Sequence, residues 1–153
     1  MTTYQIMEFF GIRTLVALIA GLIIGIERTL SGHSAGIKTL VFVSVGSSLF
    51  SATSFFLRDL YPTTDPTRII GQIITGVGFL GAGAVFHSQE RISGLTSAAI
   101  IWTSCALGVL AGIGLIIVPI LASITLVVIT IGLKKFEKYI EKIGGKKDNS
   151  LSE

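Results

Sequence analysis

The sequence predicts an all-α polytopic membrane protein whose helices form a compact, glycine-rich bundle. Half of its 153 residues are hydrophobic and 14% are charged, whereas charged residues make up about 25% of a typical soluble domain. No Asp, Glu, Lys or Arg occurs in residues 39–57, 69–89 or 94–133. Because a helix needs about 20 apolar residues to cross a bilayer, these runs and a further one near the N-terminus predict five transmembrane helices.

The first two spans are predicted over residues 9–26 and 39–57. Arg13 lies near the start of the first span, where its side chain can reach the interface at low cost. The segment before this span lacks a basic cluster, and Glu27 and Arg28 follow it where a signal peptide would have a small-residue cleavage site. We therefore expect a retained helix rather than a signal peptide.

The third span is predicted over residues 66–86. Asp65 is expected to be its N-cap and Pro66 its first residue, because Asp is a favoured cap and proline needs no hydrogen-bond partner there. The glycines of this span would weaken a helix in water, but in lipid they let neighbouring helices approach closely. We therefore predict that it is the central helix, packed on more than one side.

Six residues are expected at the helix contacts around this central helix. Gln72 is the one strongly polar side chain inside the span and needs a hydrogen-bond partner there. Trp102 lies in the middle of the next span, which favours a helix junction over a headgroup anchor. The full set is Gly76, Gly78, Gly81, Gly83, Gln72 and Trp102. Residues 76–81 also match the GxGxxG fingerprint, but the match is mid-span, so nucleotide binding is not predicted.

The uncharged run 94–133 is too long for one span, since a single helix would measure roughly 60 Å. The glycines at 112 and 114 and Pro119 predict a turn, which places the fourth and fifth spans at 95–111 and 115–133. Residues 1–133 are thus the transmembrane domain. Residues 134–153 form a basic tail, in which a separate amphipathic helix on the headgroups is expected, followed by disorder from Gly144.

Small residues recur at helical spacing in three spans. Ser44, Ser47, Ser48 and Ser51 share one stripe. Two interpretations remain open: packing, with the hydroxyls bonded to carbonyls of their own helix, or the polar lining of a solute path. Packing is favoured. The GxxxG pairs are Gly21/Gly25 and Gly108/Gly112, and we expect at least one small-residue surface, these pairs or Gly78/Gly81/Ala82, to form a homodimer.

Lysine and arginine are unevenly divided between the two sides of a five-span topology. One side holds nine of the twelve, namely Arg28, Lys38, Arg91 and six tail lysines, and the other holds three. The positive-inside rule therefore predicts a cytoplasmic C-terminus.

Several function classes find no support in the residue pattern. There are no clustered carboxylates and no His/Cys spacing for a metal, so no metal or cofactor is predicted. The two histidines, His33 and His87, lie in loops without a catalytic motif, so an enzyme is not predicted. The net charge of +3 comes largely from the tail and indicates no nucleic acid. An acidic residue inside a span would favour an ion pathway, and the uncharged runs contain none.

Three segments together resemble the MgtC/SapB family of bacterial membrane proteins. They are residues 25–28 with 35–39, then 65–83, and then 94–99 with Trp102. Their order and spacing match over roughly residues 10–135. The family usually has arginine where this chain has Lys38, and a threonine pair or Asn-Thr at 96–97; lysine cannot make a bidentate arginine contact.

The resemblance implies a protein of the bacterial inner membrane that supports growth at low magnesium. In pathogens it implies survival inside macrophages, through restraint of a membrane partner such as the ATP synthase rather than through Mg²⁺ transport. The alternative is a small transporter or channel for an ion. Well-known members also carry a soluble C-terminal domain, and its functions cannot be carried over to residues 1–153.

The polar residues of the matching segments fall at the predicted cytoplasmic ends of spans one to four. We expect a functional surface there, consisting of Glu27, Arg28, Lys38, Thr39, Gly94, Leu95 and Thr96. The alternative is that these residues only anchor the bundle, since interfacial charges usually do so.

Overall fold

A computed structural model describes residues 2–87 and 92–149. It contains five helices and one short antiparallel strand pair: α1 (Thr3–Leu30), α2 (Ile37–Leu60), α3 (Thr67–Gly83), β1 (Phe86–His87), β2 (Ile92–Ser93), α4 (Leu95–Gly112) and α5 (Ile117–Asn149). Phe86 pairs with Ser93 and His87 with Ile92. The helical class predicted from the sequence is confirmed, and the strand pair falls in a predicted loop.

Four helices, α1, α2, α4 and α5, have the length and hydropathy needed to cross a membrane. The remaining helix, α3, has 17 residues, so it measures about 26 Å along its axis. The structure therefore supports a multi-pass membrane protein.

Helix α2 lies at the centre of the bundle and contacts α1, α3 and α4. Its serine stripe is buried and donates hydrogen bonds to neighbouring helices. The Ser44 hydroxyl donates to the Ala17 carbonyl at 2.8 Å, and the Ser51 hydroxyl donates to the Val109 carbonyl at 3.3 Å. From α4, Ser104 donates back to the Leu40 carbonyl at 2.9 Å. These bonds match the packing interpretation, although the acceptors lie mainly on other helices.

Both GxxxG pairs pack against α2 within the same chain. A Cβ atom at Gly25 would lie 2.7 Å from the Cα of Ile37, and one at Gly112 would lie 2.5 Å from the Ser48 carbonyl oxygen. A Cβ at Gly108 would overlap the carbonyl oxygen of Ser44. These glycines are therefore required for α1 and α4 to reach the α2 backbone.

Helix α3 is peripheral, so the prediction of a central third helix was wrong. Val77 is its one buried residue, and a Cβ at Gly76, Gly78 or Gly83 would meet nothing within 4 Å. Gly81 alone of the four packs, since its Cβ would lie 3.7 Å from the Ala98 Cβ. A glycine-rich run indicates that another helix can approach closely. In this protein the close helix contacts are instead those of α1 and α4 with α2.

The two large side chains expected at helix junctions are exposed. Trp102 on α4 is 55% exposed, so it does not fill a junction within the described part of the chain. Gln72 on α3 is exposed and makes no side-chain hydrogen bond to another described residue. The structure therefore does not bear out a junction at either side chain among the described residues.

Helix α5 runs without a break from the fifth predicted span into the tail. In place of a separate headgroup helix the structure has one helix of 33 residues, about 50 Å long, which continues through Gly144 to Asn149. The rest of the predicted disordered tail, residues 150–153, lies outside the described residues. Pro119 falls in the first turn of this helix, where proline is tolerated. The next 24 residues contain no further proline, and Gly132 is their one glycine.

Asp65 hydrogen-bonds the start of α3. Its carboxylate accepts from the Thr67 backbone N–H at 2.9 Å and from the Thr67 hydroxyl at 2.7 Å. The Thr67 hydroxyl, followed by its backbone N–H, lowers the pKa of Asp65. The helix begins at Thr67 with Pro66 at the N-cap position, so Asp65 lies one residue before the cap, not at it as predicted, and hydrogen-bonds the first residue of the helix.

Candidate functional site

Arg28, near the C-terminal end of α1, is the largest fully buried side chain among the described residues, with 1% of its surface exposed. Its guanidinium donates one hydrogen bond, at 3.3 Å, to the hydroxyl of Ser97 in the first turn of α4. Its Nε is buried and has no hydrogen-bond partner among the described residues. A buried guanidinium with unused donors is costly, so this position is a candidate site rather than ordinary packing.

Glu27 lies beside Arg28 and is half-buried. One of its carboxylate oxygens accepts from the Ser31 hydroxyl at 2.8 Å. The other oxygen, Oε2, is buried without a partner in the described part of the chain. Glu27 and Arg28 form no direct ion pair within 4 Å in this part of the chain, so the two charges interact electrostatically only at longer range.

His33 adds a third polar group at this end of the bundle. Its backbone N–H donates to the Arg28 carbonyl at 3.0 Å, and its Nδ1 is buried without a partner among the described residues. Burial lowers the pKa of His33, and the positive charges of Arg28 and Lys134 lower it further, against the opposing effect of Glu27. The lowered pKa favours the neutral imidazole, and the effect of Lys134 places this residue of α5 near the same end of the bundle.

The loop after α1 is tied to the start of α2. The Thr29 hydroxyl accepts from the backbone N–H of Ile37 at 3.0 Å. A Cβ at Gly36 would lie 2.7 Å from the Thr29 hydroxyl oxygen. This contact fixes the loop that carries His33.

Gly94 joins α3 to α4 at this same end. Its φ of +91° lies in the left-handed region, and a Cβ there would overlap the carbonyl oxygen of Ala84. Glycine is thus required on two independent grounds. The C-terminal end of α3 is held against the start of α4, close to Ser97.

Four of the sequence-predicted site residues form an exposed rim around the buried groups. Lys38 and Thr39 begin α2, and Leu95 and Thr96 begin α4; all four are exposed. The predicted surface therefore has three parts besides this rim. Arg28 is buried, Glu27 is half-buried, and Gly94 is required for its backbone conformation. A cavity of about 370 Å³ opens beside Thr39, between the C-terminal part of α3 and the starts of α2 and α4.

Sequence reasoning missed two residues of this site. It chose Thr96, but the side chain that bonds Arg28 is the next one, Ser97. Ser97, Ile101, Ser104 and Gly108 are all buried on α4, and their spacing of four, three and four residues would have identified the inward face. His33 carried no comparable signal, because its burial arises from the loop conformation.

No group of three or more metal-ligating side chains occurs among the described residues. The arrangement at the end of α1 provides donors from Arg28 and acceptors from Glu27 and His33. It can recognise a polar group that carries both donors and acceptors, or hold one between two helices.

The apolar helices, the buried polar cluster at one helix end and the glycine contacts define a multi-pass helical membrane protein. The family model described as MgtC family matches residues 14–139. The chain belongs to the MgtC family.

Relatives from three bacteria are similar over most of this chain. A protein of Haemophilus influenzae is 37% identical over 123 residues, covering 76% of this chain and 52% of its own length. The protein named "Putative magnesium transporter YhiD" of Escherichia coli K12 is 40% identical over 128 residues, covering 80% and 60%. Protein MgtC of Brucella abortus is 35% identical over 125 residues, covering 82% and 51%. The chain thus spans about half to three fifths of their length, and no solved structure matches it.

Proposed function

We propose that this chain is a regulatory membrane protein that supports growth under magnesium limitation, and in pathogens intracellular survival. It acts through contacts with a membrane partner, for which the ATP synthase is the candidate by family resemblance. The proposal includes no enzymatic activity.

The hydrogen bond between Arg28 and Ser97 carries this proposal. It joins two segments that resemble the family, 25–28 and 94–99, at one end of the bundle, and the exposed rim surrounds it. A buried charge is expensive, so a cation buried at this point favours a specific role for it. The rim residues Lys38, Thr39, Leu95 and Thr96 are the part of this site that a partner can reach.

A small transporter or channel is the second candidate, and the printed name of the Escherichia coli relative favours it. Against it, the hydroxyls of Ser44, Ser48, Ser51 and Ser104 are engaged with carbonyls of neighbouring helices. Serines engaged in this way do not line a polar path. A transporter would instead have to use the exposed faces of the bundle.

We also propose five spans, with α3 crossing the membrane and the C-terminus in the cytoplasm. The start of α3 follows the end of α2, whereas its C-terminal part contacts the starts of α2 and α4, so it runs between opposite ends of the bundle. Nine of twelve basic residues then fall on the side of the tail.

A reporter fused after Lys147 tests this topology. We expect a reporter that works only in the cytoplasm to be active and one that works only in the periplasm to be silent. The reason is that most of the basic residues lie on the same side of the membrane as the tail. A fusion at Thr63, in the loop before α3, is the matched control and should give the opposite pattern. Periplasmic activity after Lys147 would refute the orientation.

Rim and cluster variants test the function. In a host that lacks its own family member, Thr96→Val and Glu27→Gln should leave the membrane level of the protein unchanged but reduce growth in low magnesium to that of the empty host. The physical reason is that these changes alter the polar groups offered to a partner and remove no packing. Quantitative blotting of membranes alongside growth curves measures both quantities.

Asp65→Asn is the control for these variants, since Asn caps a helix almost as well as Asp and this position lies at the start of α3, away from the site. It should leave both level and growth intact. If level and growth fall together in Thr96→Val or Glu27→Gln, the site only anchors the bundle, and the proposed function loses its support.

We also propose a homodimer, and we now favour α3 over the two GxxxG pairs as its contact surface. The pairs Gly21/Gly25 and Gly108/Gly112 pack within the chain, whereas Gly78 and Ala82 of α3 are exposed. Small exposed residues allow a second helix to approach closely, so α3 is the helix through which two copies would associate.

A further inference from the structure

An apolar groove runs between α2 and α3 on the outside of the bundle. Its walls are residues 42–50 of α2 and 69–80 of α3, and its volume is about 480 Å³. The two polar side chains in its lining are Ser47, whose hydroxyl donates to the Cys105 sulfur at 3.2 Å, and Gln72. With α3 spanning the membrane, this groove is open to hydrocarbon, and in a bilayer it must be filled.

The dimensions of the groove decide what can fill it. The α3 wall, from Ile69 to Leu80, extends about 17 Å along the helix axis, close to the depth of one leaflet of the hydrocarbon core, about 15 Å. The groove, with a volume of about 480 Å³, therefore has the length of one acyl chain that extends through a single leaflet.

The upper end of the groove carries polar groups at the depth of a lipid headgroup. Arg68 and Gln72 lie one turn apart on α3, so they share a face, and Gln72 is about 8 Å from the helix start. Both are exposed, and neither forms an ion pair or donates a side-chain hydrogen bond in the part of the chain that the structure describes. The nearby Arg58, by comparison, pairs with Asp59 at 3.4 Å.

We propose that this groove binds one acyl chain of an anionic glycerophospholipid, whose phosphate lies against Arg68 and whose ester carbonyl accepts from Gln72. Arginine suits phosphate because its planar donors match the oxygens. The ester carbonyl satisfies an amide that would otherwise be unpaired in a dry environment. Gly46 and Gly76 keep the groove open, since a Cβ at either position would meet nothing within 4 Å.

Groove-filling variants test the proposal with a matched control on the same helix. Gly76→Leu and Gly46→Leu place a side chain into the groove from opposite walls without an internal clash. Gly71→Leu adds the same side chain to α3 outside the groove lining, where the Cβ is equally unobstructed. Purified protein in mild detergent is titrated with phosphatidylglycerol or phosphatidylcholine, and bound lipid is counted by native mass spectrometry.

We expect wild type and Gly71→Leu to bind phosphatidylglycerol alike, and both groove variants to bind it at least about tenfold more weakly. Arg68→Gln should reduce the preference for phosphatidylglycerol over phosphatidylcholine by about tenfold, because a charge-assisted contact is lost. Each purified variant must elute from a size-exclusion column at the same volume as the wild type, as a check that it is folded. The two groove variants lie on different helices, and Arg68→Gln is a surface change, so misfolding of one leaves the others decisive.

Equal lipid binding by wild type and both groove variants would overturn the proposal. Equal binding of the two lipids by wild type and Arg68→Gln would overturn its headgroup part. Crosslinking of the same variants in membranes identifies the alternative occupant: loss of a dimer band in Gly76→Leu and Gly46→Leu, with lipid binding unchanged, would assign the groove to a second copy. None of these outcomes depends on the proposed function in magnesium limitation.

Discussion

Replacing Gly108 by alanine is expected to lower the free energy of unfolding by about 3 kcal/mol, because overpacking a close contact forces the backbone to shift. The added methyl group would overlap the Ser44 carbonyl oxygen and crowd the Ser44 Cα. Helix α4 would have to move away from α2, which would also lengthen the hydrogen bonds of Ser51 and Ser104. Unfolding by sodium dodecyl sulfate, followed by circular dichroism, measures the effect.

Gly132→Ala is the matched control for this prediction. Gly132 lies in α5, and a Cβ there meets nothing within 4 Å, so we expect a change of no more than about 1 kcal/mol, in the stabilising direction that helix propensity favours. Equal stability of Gly108→Ala and wild type would mean that α2 and α4 are farther apart than described here.

The second large effect is expected at Arg28. Arg28→Gln should lower the free energy of unfolding by about 3 kcal/mol, because removing a buried cation leaves neighbouring Glu27 without its compensating charge and removes the bond to Ser97. Glu27→Gln in the same background should recover part of this loss, since the uncompensated carboxylate is then gone. Sodium dodecyl sulfate unfolding of the two single variants and the double variant forms a double-mutant cycle.

Arg58→Gln is the control, because its pair with Asp59 is exposed, with 46% and 53% of the two side chains accessible. Exposed pairs contribute at most about 1 kcal/mol. Additive effects at Glu27 and Arg28 would contradict the coupling proposed between them. A loss at Arg58 as large as that at Arg28 would show that burial does not determine the effect.

The sequence predicted the parts of the fold that depend on local pattern. The uncharged runs located the helices, and the spacing of Ser44, Ser47, Ser48 and Ser51 identified one face of α2. The acceptors of these serines could not be predicted, because Ala17 and Val109 contribute only carbonyl groups, which every residue has. The sequence pattern could not identify the central helix either. Glycines permit close packing on any helix, and only the folded structure shows which helices approach one another.

The candidate site was predicted in outline and missed in detail for a related reason. The segments around Arg28 and Gly94 were selected by their resemblance to a family, which locates a region of sequence but not the direction of a side chain. Thr96 and Ser97 differ by about 100° around α4, and only the inward stripe of that helix separates the buried hydroxyl from the exposed one. Gly94 was among the predicted site residues, but its left-handed φ and its close contact with the Ala84 carbonyl arise only in the folded chain, so local sequence could not predict them.

The unbroken α5 has a mechanical consequence. If the apolar part up to Leu133 lies in the membrane, the helix from Lys134 to Asn149 extends about 24 Å beyond it. A helix without a hinge behaves as a stiff lever, so a change of about 10° in the tilt of α5 would move its far end by about 4 Å. Small rearrangements where α5 meets α1 and α4 would therefore be amplified at a distance from the bilayer, with no change in the secondary structure of the tail.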